Sequence, residues 1–480
     1  MFKMKHDYKA QGFKCGLEIH QQLSGEKLFC GCPALIKKGT PDFVFERKLR
    51  ASAGETGKVD LAALHEHGKK KSFEYQGYFD TCCLVEMDEE PPHPVNREAL
   101  EAALVMAKLL NMKIVDGIQF MRKTVIDGSN VSGFQRTALI GYDGFVEVNG
   151  RKIRVDSLCL EEEAAQVVKR GKDKDSYNIS RLGIPLLEIA TAPDIMSPDE
   201  CREVAGHIGM LLRSTGRVMR GIGSIRQDVN ISIKGGARTE IKGFQDYKNI
   251  PKVVDYEIER QLKLIKDKKK VEESVRKAEP NHTTSYLRPM PGADRMYPET
   301  DVEVIIPGRV ELDVPETLEE KKSKLVKKHG LSEDLARLAL RFEEKNDYSF
   351  EKDFKKYSSK SLSPTTMADI VLIKAPGVAK KESEDFDVLK VKDALFSELS
   401  NGKIALSAVN DVLKEFAVKG KVDFKKYELL IDSETEKIVK KIISENKGAP
   451  RGLVMGKVMQ ELKGRADGKK VNELVSKHLK

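Results

Sequence analysis

Gly144-Phe145-Val146-Glu147-Val148-Asn149-Gly150-Arg151-Lys152-Ile153-Arg154-Val155 contains two short alternating runs joined by Asn149-Gly150. An Asn-Gly pair accepts positive φ at both turn positions, and the resulting twist matches two antiparallel strands, so the stretch predicts a β-hairpin. Short β-branched runs bounded by Gly, Asp and Asn lie on either side, at residues 113–118, 229–233 (before Gly235-Gly236) and 239–242. Helical patterns are interleaved. Asn96 caps residues 97–111, Ser197-Pro198 opens a helix through 201–212, and a third spans 253–265. These features predict a mixed α/β domain built on antiparallel sheet. Beyond residue 310 the pattern is helical and charged: Pro315 opens one helix, Ser332 caps 333–345, and Ser363-Pro364 opens another through Ile373. Pro376-Gly377 and the charged stretch 380–387 predict a break, with further helices at 433–446 and 454–462. The fold class is α+β, in three parts: a large α/β domain at 1–312, a helical connector at 313–398 and a small all-α tail at 399–480.

The chain's 480 residues suit two to four domains at about 100–200 residues each. With 40% hydrophobic and 33% charged residues, the composition is that of a globular protein with a charge-rich surface. No apolar run approaches the roughly 18–20 residues that cross a bilayer, and residues 1–14 mix Lys, His, Asp and Gln instead of forming an apolar signal, so a cytoplasmic protein with no membrane partner is expected. Seven scattered cysteines point to thiols or a metal site, not a disulfide framework. The net charge of +9 is unevenly placed: residues 401–480 hold 18 Lys+Arg against 11 Asp+Glu, a net +7. A basic terminal domain fits nucleic-acid contact through counterion release, and a solvated lysine-rich surface is the alternative.

Glu18 and His20 are two apart in Gly16-Leu17-Glu18-Ile19-His20, so on a strand they share a face and can ligate a divalent cation; an exposed polar strand face also accounts for them. Glu188 lies inside the apolar run Pro185-Leu186-Leu187-Glu188-Ile189, where a carboxylate is costly unless paired or metal-bound. Glu161-Glu162-Glu163 offers more carboxylates, or an acidic helix start. In Ser224-Ile225-Arg226-Gln227-Asp228-Val229-Asn230, Arg226, Asp228 and Asn230 alternate with other residues after a glycine turn, and Glu240 and Lys242 repeat the arrangement. Such a face offers Arg for phosphoryl oxygens and Asp for Mg²⁺. Neither a Walker nor a Rossmann fingerprint is present. Cys30, Cys32, Cys82 and Cys83 could hold Zn²⁺, although C-x-C with C-C is no zinc-ribbon spacing and buried free thiols are the alternative.

Taken together, residues 16–23, 27–33, 88–94, 122–130, 133–137, 181–189, 223–232 and 288–301 resemble, in order and over nearly the whole chain, the B/E-type family of tRNA-dependent amidotransferase subunits. The closer likeness is to the E subunit of the archaeal glutamyl-tRNA(Gln) amidotransferase. The resemblance implies a cradle-shaped first domain, a helical domain and a tRNA-binding tail. It also implies an ATP-dependent enzyme that phosphorylates the side-chain carboxylate of Glu-tRNA(Gln) and amidates it with ammonia to give Gln-tRNA(Gln). Carried over by motif, Glu18, His20, Glu162 and Glu188 fall on the Mg²⁺-binding positions. Ser224, Arg226, Asp228, Asn230, Glu240 and Lys242 fall on nucleotide- and substrate-facing strands, with Glu18, His20, Glu188 and Arg226 as the catalytic set.

E subunits contain an inserted domain resembling part of bacterial aspartyl-tRNA synthetase, whereas here the helix at 253–265 is followed almost directly by Arg288-Pro289, the shorter layout of the bacterial-type B subunits. Two partners stay open: an asparaginase-like D subunit, or an amidase A subunit with its small C companion. Amidation of Asp-tRNA(Asn) and a non-catalytic tRNA-binding scaffold are the other functions compatible with the motifs.

Overall fold

In the computed structural model, Asn149 and Gly150 take φ of 51° and 75°, the left-handed pair that an Asn-Gly hairpin requires. They join β6 (Phe134–Val148) to β7 (Arg151–Glu162), which pair antiparallel. The structure describes residues 7–50, 57, 59, 67–68, 70–244, 246–290, 296–309, 312–346, 348–382, 386–430, 432–462, 465–466 and 468–479. Residues 291–295 of the motif at 288–301, residues 383–385 of the charged stretch and residue 310 lie outside them.

The other elements of the first part are β1 (Lys14–Gln22), β2 (Phe43–Arg47), β3 (Ser72–Gly77), α1 (Arg97–Leu109), β4 (Lys113–Ile114), β5 (Phe120–Thr124), β8 (Gln166–Lys169), β9 (Lys174–Asn178) and β10 (Pro185–Thr191). They continue with α2 (Pro198–Ser214), β11 (Ile225–Ser232), β12 (Thr239–Phe244), α3 (Ile250–Lys266), β13 (Ser274–Ala278), β14 (Thr284–Pro289) and β15 (Met296–Pro298). An 11-stranded sheet runs β14-β13-β12-β11-β1-β10-β7-β6-β5-β15, with β4 on β6, and a four-stranded sheet runs β2-β3-β9-β8. In the large sheet, among the described residues, only the β12–β13 pair is parallel.

Alternation along β1 determines what the sheet can do. Leu17 and Ile19 are buried in a core shared with α1, α2 and α3, which leaves Glu18 and His20 on the opposite face. The helices form where expected: Asn96 Oδ1 accepts from Ala99 N at 3.0 Å and Ser197 Oγ from Glu200 N at 3.1 Å. Their apolar stripes cover one sheet face and leave the other open to polar chemistry.

The chain divides into two compact units, Met1–Thr317 and Leu318–Lys480. The second contains α4 (Leu318–His329), α5 (Glu333–Asn346), α6 (Phe350–Tyr357), α7 (Pro364–Asp369), α8 (Ala375–Glu382), α9 (Lys392–Ser400), α10 (Val409–Lys419), α11 (Asp432–Glu445), α12 (Arg451–Leu462) and α13 (Gly468–His478). One of its cores draws on Leu325 through Leu413, another on Val439 through Val475. The break expected at Pro376-Gly377 does not occur. Ile370–Lys374 forms a π-turn in which Ala375 N donates to Ile370 O, five residues back, and the wider turn carries α8 past a proline that lacks an N–H. No helix among the described residues is long and apolar enough to cross a membrane.

Candidate functional site

Pairing register brings the polar residues of β1, β10 and β11 into rows. His20 lies opposite Glu188 on one side and Arg226 on the other, and Glu18 lies opposite Ala190 and Asp228. Residues directly opposite in an antiparallel pair share a face, so the strands need only be aligned for these side chains to converge. His20 Nε2 is 3.4 Å from both Glu18 Oε1 and Glu188 Oε2. Burial opposes ionisation of Glu188, but the His20 hydrogen bond and the charges of Lys123 and His20 outweigh it and hold the carboxyl well below the usual range. Burial also works against a charged His20, yet the Glu188 hydrogen bond and the two neighbouring carboxylates raise its pKa. Burial and the Glu188 charge push Glu18 up. One imidazole and two carboxylates, with ligand atoms within 4.8 Å of one another, form a donor set suited to a hard divalent cation.

Glu162 does not join them. Its Oε1 accepts from the Arg136 backbone N at 3.0 Å and lies 3.3 Å from the Arg136 guanidinium, which also donates to Glu299 at 2.7 Å. The reason is strand parity. Glu188 pairs with Cys159, so Cys159 and Glu161 share its face and Glu162 points away. Glu161 stands in the place expected for Glu162, with Lys123 Nζ at 2.6 Å from its Oε1 and 3.6 Å from Glu188 Oε2. Burial and the Glu188 charge raise the pKa of Glu161 while that of Glu188 falls, so adjacent carboxyls are pushed apart.

Cations border the same cavity, of about 520 Å³, lined by Glu18, His20, Lys123, Glu161, Arg226 and Lys242 among others. Arg226 donates to both oxygens of the buried Glu163, at 2.7 and 3.0 Å, and Gln22 Nε2 donates to Glu163 at 3.0 Å. Burial opposes charge on Glu163, but Arg226 and Arg181 keep it ionised. Lys242 Nζ lies 2.6 Å from Asp228 and 2.5 Å from Glu240, and these acids with Glu18 hold the ammonium charged despite burial. Glu18, Asp228 and Glu240 form a second group of close carboxylates, already occupied by that ammonium. Two expected residues are placed differently. Ser224 Oγ turns back to its own loop, donating to Gly221 O at 2.8 Å, and Asn230 lines a neighbouring cavity and accepts from Arg238. Sequence alone does not single out Lys123, Glu161, Glu163 or Arg181; Lys123 sits in the motif at 122–130, and the Glu triplet gives no means of choosing among its members.

The cysteines assemble in part. Cys30, Cys32 and Cys83 come together with Glu86, ligand atoms again within 4.8 Å, whereas Cys82 is buried in a core with Phe73 and Tyr177. Cys82 and Cys83 therefore part company, one facing the core and the other the cluster, and Glu86 supplies the fourth position. Burial and the Glu86 charge push Cys30 up and Cys32 up to about 12.

Residues 13–311 match the family model described as the GatB/GatE catalytic domain, and residues 352–479 match the GatB domain. The chain belongs to the GatB/GatE family. Relatives in this family from Methanococcus maripaludis, Methanocaldococcus jannaschii and Archaeoglobus fulgidus are 37%, 36% and 35% identical. Each match covers 99% of this chain and at least 99% of the relative, and each relative is by name the E subunit of a glutamyl-tRNA(Gln) amidotransferase. The first alignment runs over 632 positions against a chain of 480 residues, so about 150 positions of that GatE relative have no counterpart here. This agrees with the shortened layout between α3 and Arg288. The GatB/GatE match spans the whole polar sheet face, from Glu18 to Lys242.

Proposed function

We propose that this chain is a tRNA-dependent amidotransferase subunit that uses ATP to convert glutamate esterified to tRNA(Gln) into glutamine. The observation that carries the reading is the meeting, in one cavity, of the Glu18–His20–Glu188 donor set with Arg226 and Lys242. The names of the relatives agree with it.

A side-chain carboxylate resists attack by ammonia because its carbon is shielded by negative charge. Transfer of the γ-phosphoryl group to a carboxylate oxygen, with ADP leaving, gives an acyl phosphate. Ammonia then adds at the carbonyl carbon, phosphate leaves, and a proton is lost from nitrogen. Such transfer depends on positioning and charge neutralisation more than on a protein nucleophile. Mg²⁺ fits Glu18, His20 and Glu188, with Glu161 at the margin; there it would neutralise charge on the phosphoryl oxygens. Arg226, fixed by Glu163, and Lys242, fixed by Asp228 and Glu240, present cations to the phosphates. Lys123 holds Glu161 and Glu188 in place.

Zn²⁺ fits Cys30, Cys32, Cys83 and Glu86, where it would bind thiolates and tie the 30–32 loop to the 83–86 turn. The fully buried Lys27, 3.6 Å from Glu86, already supplies one positive charge there. Residues 1–312 carry the chemistry, 313–398 connect, and 399–480 grip the tRNA. Ammonia comes from a partner, and relatives that are E subunits by name favour a D subunit of the asparaginase-like kind. The cytoplasm is the compartment where charged tRNA is available.

Purified chain supplied with ATP, Mg²⁺, ammonium and separately charged Glu-tRNA(Gln) and Asp-tRNA(Asn) should release glutamine from the first. Glu188→Ala should abolish ATP-dependent phosphate release while tRNA binding persists. An unchanged rate in that variant overturns the site, and amide from neither substrate favours the scaffold reading.

A further inference from the structure

Two arginines of the catalytic cavity, Arg181 and Arg226, share one buried carboxylate, Glu163, which follows directly on the end of β7. That carboxylate has no acceptor to spare. Arg226 Nη2 donates to both its oxygens, at 2.7 and 3.0 Å, Gln22 Nε2 to one of them at 3.0 Å, and the Ala164 backbone N to the other at 3.1 Å. Arg181 therefore feels the charge of Glu163 without bonding to it. Its Nε and Nη2 donate to the carbonyl oxygens of Ala164 and Ala165, at 2.7 and 2.8 Å, and its Nη1 donates to no described residue. The turn that carries Arg181 is pinned to the same glutamate: Gly183 N donates to Glu163 O at 3.0 Å, and Glu163 N to Ile184 O at 2.8 Å. Burial lowers the pKa of Arg181, Glu163 offsets this in part, and the charge of Arg226 lowers it further. A largely buried guanidinium that no carboxylate pairs directly is costly, unless an anion meets it in the cavity that it lines.

We infer that Arg181 binds the phosphoryl group of the reaction, sharing its oxygens with Arg226. The assignment rests on the function proposed above. Two anions reach this cavity in that reaction, the side-chain carboxylate of the substrate and the phosphoryl group, and the donor count separates them. A carboxylate has two oxygens and is satisfied by one guanidinium fork, whereas a phosphate dianion has three free oxygens and accepts from two. Charge points the same way, because two guanidiniums against one saturated carboxylate leave a local excess of one positive charge. When ammonia displaces phosphate, the bond between the carbonyl carbon and the bridging oxygen breaks and its electron pair stays on the phosphate. A guanidinium already fixed by two backbone carbonyls takes up that charge without reorganising. A purely structural Arg181 would tie Ala164 and Ala165 to the turn and do no more. That role uses Nε and Nη2 and gives Nη1 nothing to do in the cavity wall.

The test uses the full-length chain below its melting temperature, with one readout independent of turnover. In equilibrium dialysis with Mg²⁺ and ADP, radiolabelled inorganic phosphate should bind wild type saturably, and Arg181→Gln should weaken that binding about tenfold or more, the worth of one charge-assisted pair. With ATP, ammonium and Glu-tRNA(Gln), the same variant should lower kcat about 100-fold or more while the KM for Glu-tRNA(Gln) stays near wild type. Arg181→Lys keeps the charge and gives up the fork, so it should bind phosphate about fivefold more weakly than wild type, and it decides the question if Arg181→Gln does not fold. Undiminished phosphate binding in the variants would overturn the assignment and leave Arg181 a brace for Ala164 and Ala165. A raised KM for Glu-tRNA(Gln) at unchanged kcat would also overturn it, giving Arg181 to the substrate carboxylate. If wild type forms no glutamine yet binds phosphate through Arg181, the functional reading falls and the anion seat stands.

Discussion

Glu161 and Glu162 are neighbours with opposite fates, and substitution should separate them. Glu161 holds Lys123 beside Glu188, so Glu161→Gln should lower turnover about 10–100-fold, as expected for a group that orients ligand-bearing side chains, with little effect on melting. Glu162 is buried against Arg136, and Glu162→Gln should cost about 1–3 kcal/mol of stability by weakening the partner of a buried guanidinium, while kcat at a permissive temperature stays near wild type. Steady-state kinetics paired with thermal melts check both, and equal kinetic effects would contradict the parity argument. The same pair shows what sequence could reveal about the site. Glu18 and His20 were legible because spacing by two on a strand needs no partner, and Glu188 because a carboxylate in an apolar run needs a reason. The choice within 161–163 depends on the register of β7 against β10, which alternates no differently for one glutamate than for its neighbour. Cys82 and Cys83 pose the same difficulty, and Glu86 carried no signal beyond proximity in the fold.

Among elements, the hairpin and the capped helices were readable because their determinants are local: two turn residues for β6–β7, one side-chain oxygen for each of α1 and α2. The π-turn was not readable, since proline normally ends a helix and only the wider backbone ring before Ala375 lets α8 form. Helix α10 carries a local electrostatic clamp: Glu415 accepts from Lys419 at 2.9 Å, Tyr427 at 2.8 Å and Lys426 at 3.2 Å. Hydrogen bonds from Lys419 and Tyr427 lower its pKa from 4.5 to about 2. A carboxyl whose folded pKa lies below its unfolded value stabilises the fold at higher pH, and that contribution fades as pH falls from about 4.5 to about 2. Glu415→Gln should therefore lower stability at pH 7 by less than about 1 kcal/mol, the clamp being partly solvated, and should flatten the acid limb of a denaturant titration below pH 5. A variant with the wild-type acid dependence would show that the clamp contributes nothing.

At the scale of the whole molecule, the excess positive charge and the polar sheet face lie in different parts of the chain. The described residues of the polar sheet face belong to Met1–Thr317, whereas residues 401–480 carry a net +7 of the total +9. Were the tail only a solvated surface, its removal would alter solubility and little else. As a tRNA grip, it acts through phosphate neutralisation, which has a signature no structural role shares: the logarithm of affinity falls linearly with the logarithm of salt, by roughly 0.7–0.9 for each phosphate neutralised. The packing dictates where to cut. The core that includes α10 draws on residues up to Leu413, and the last core begins at Val439, so a chain ending at Leu430 loses α11, α12 and α13 without opening the core before them. That chain should retain ATP-dependent amidation of 3′-O-glutamyl-adenosine 5′-phosphate at the wild-type rate. Its KM for Glu-tRNA(Gln) should rise at least tenfold at low salt, and its salt slope should shrink by roughly 0.7–0.9 for each phosphate the tail no longer neutralises. The small substrate isolates the sheet face from the grip. If both substrates lose activity equally, the tail supports the catalytic fold and does not hold tRNA; if neither does, its charge is surface alone.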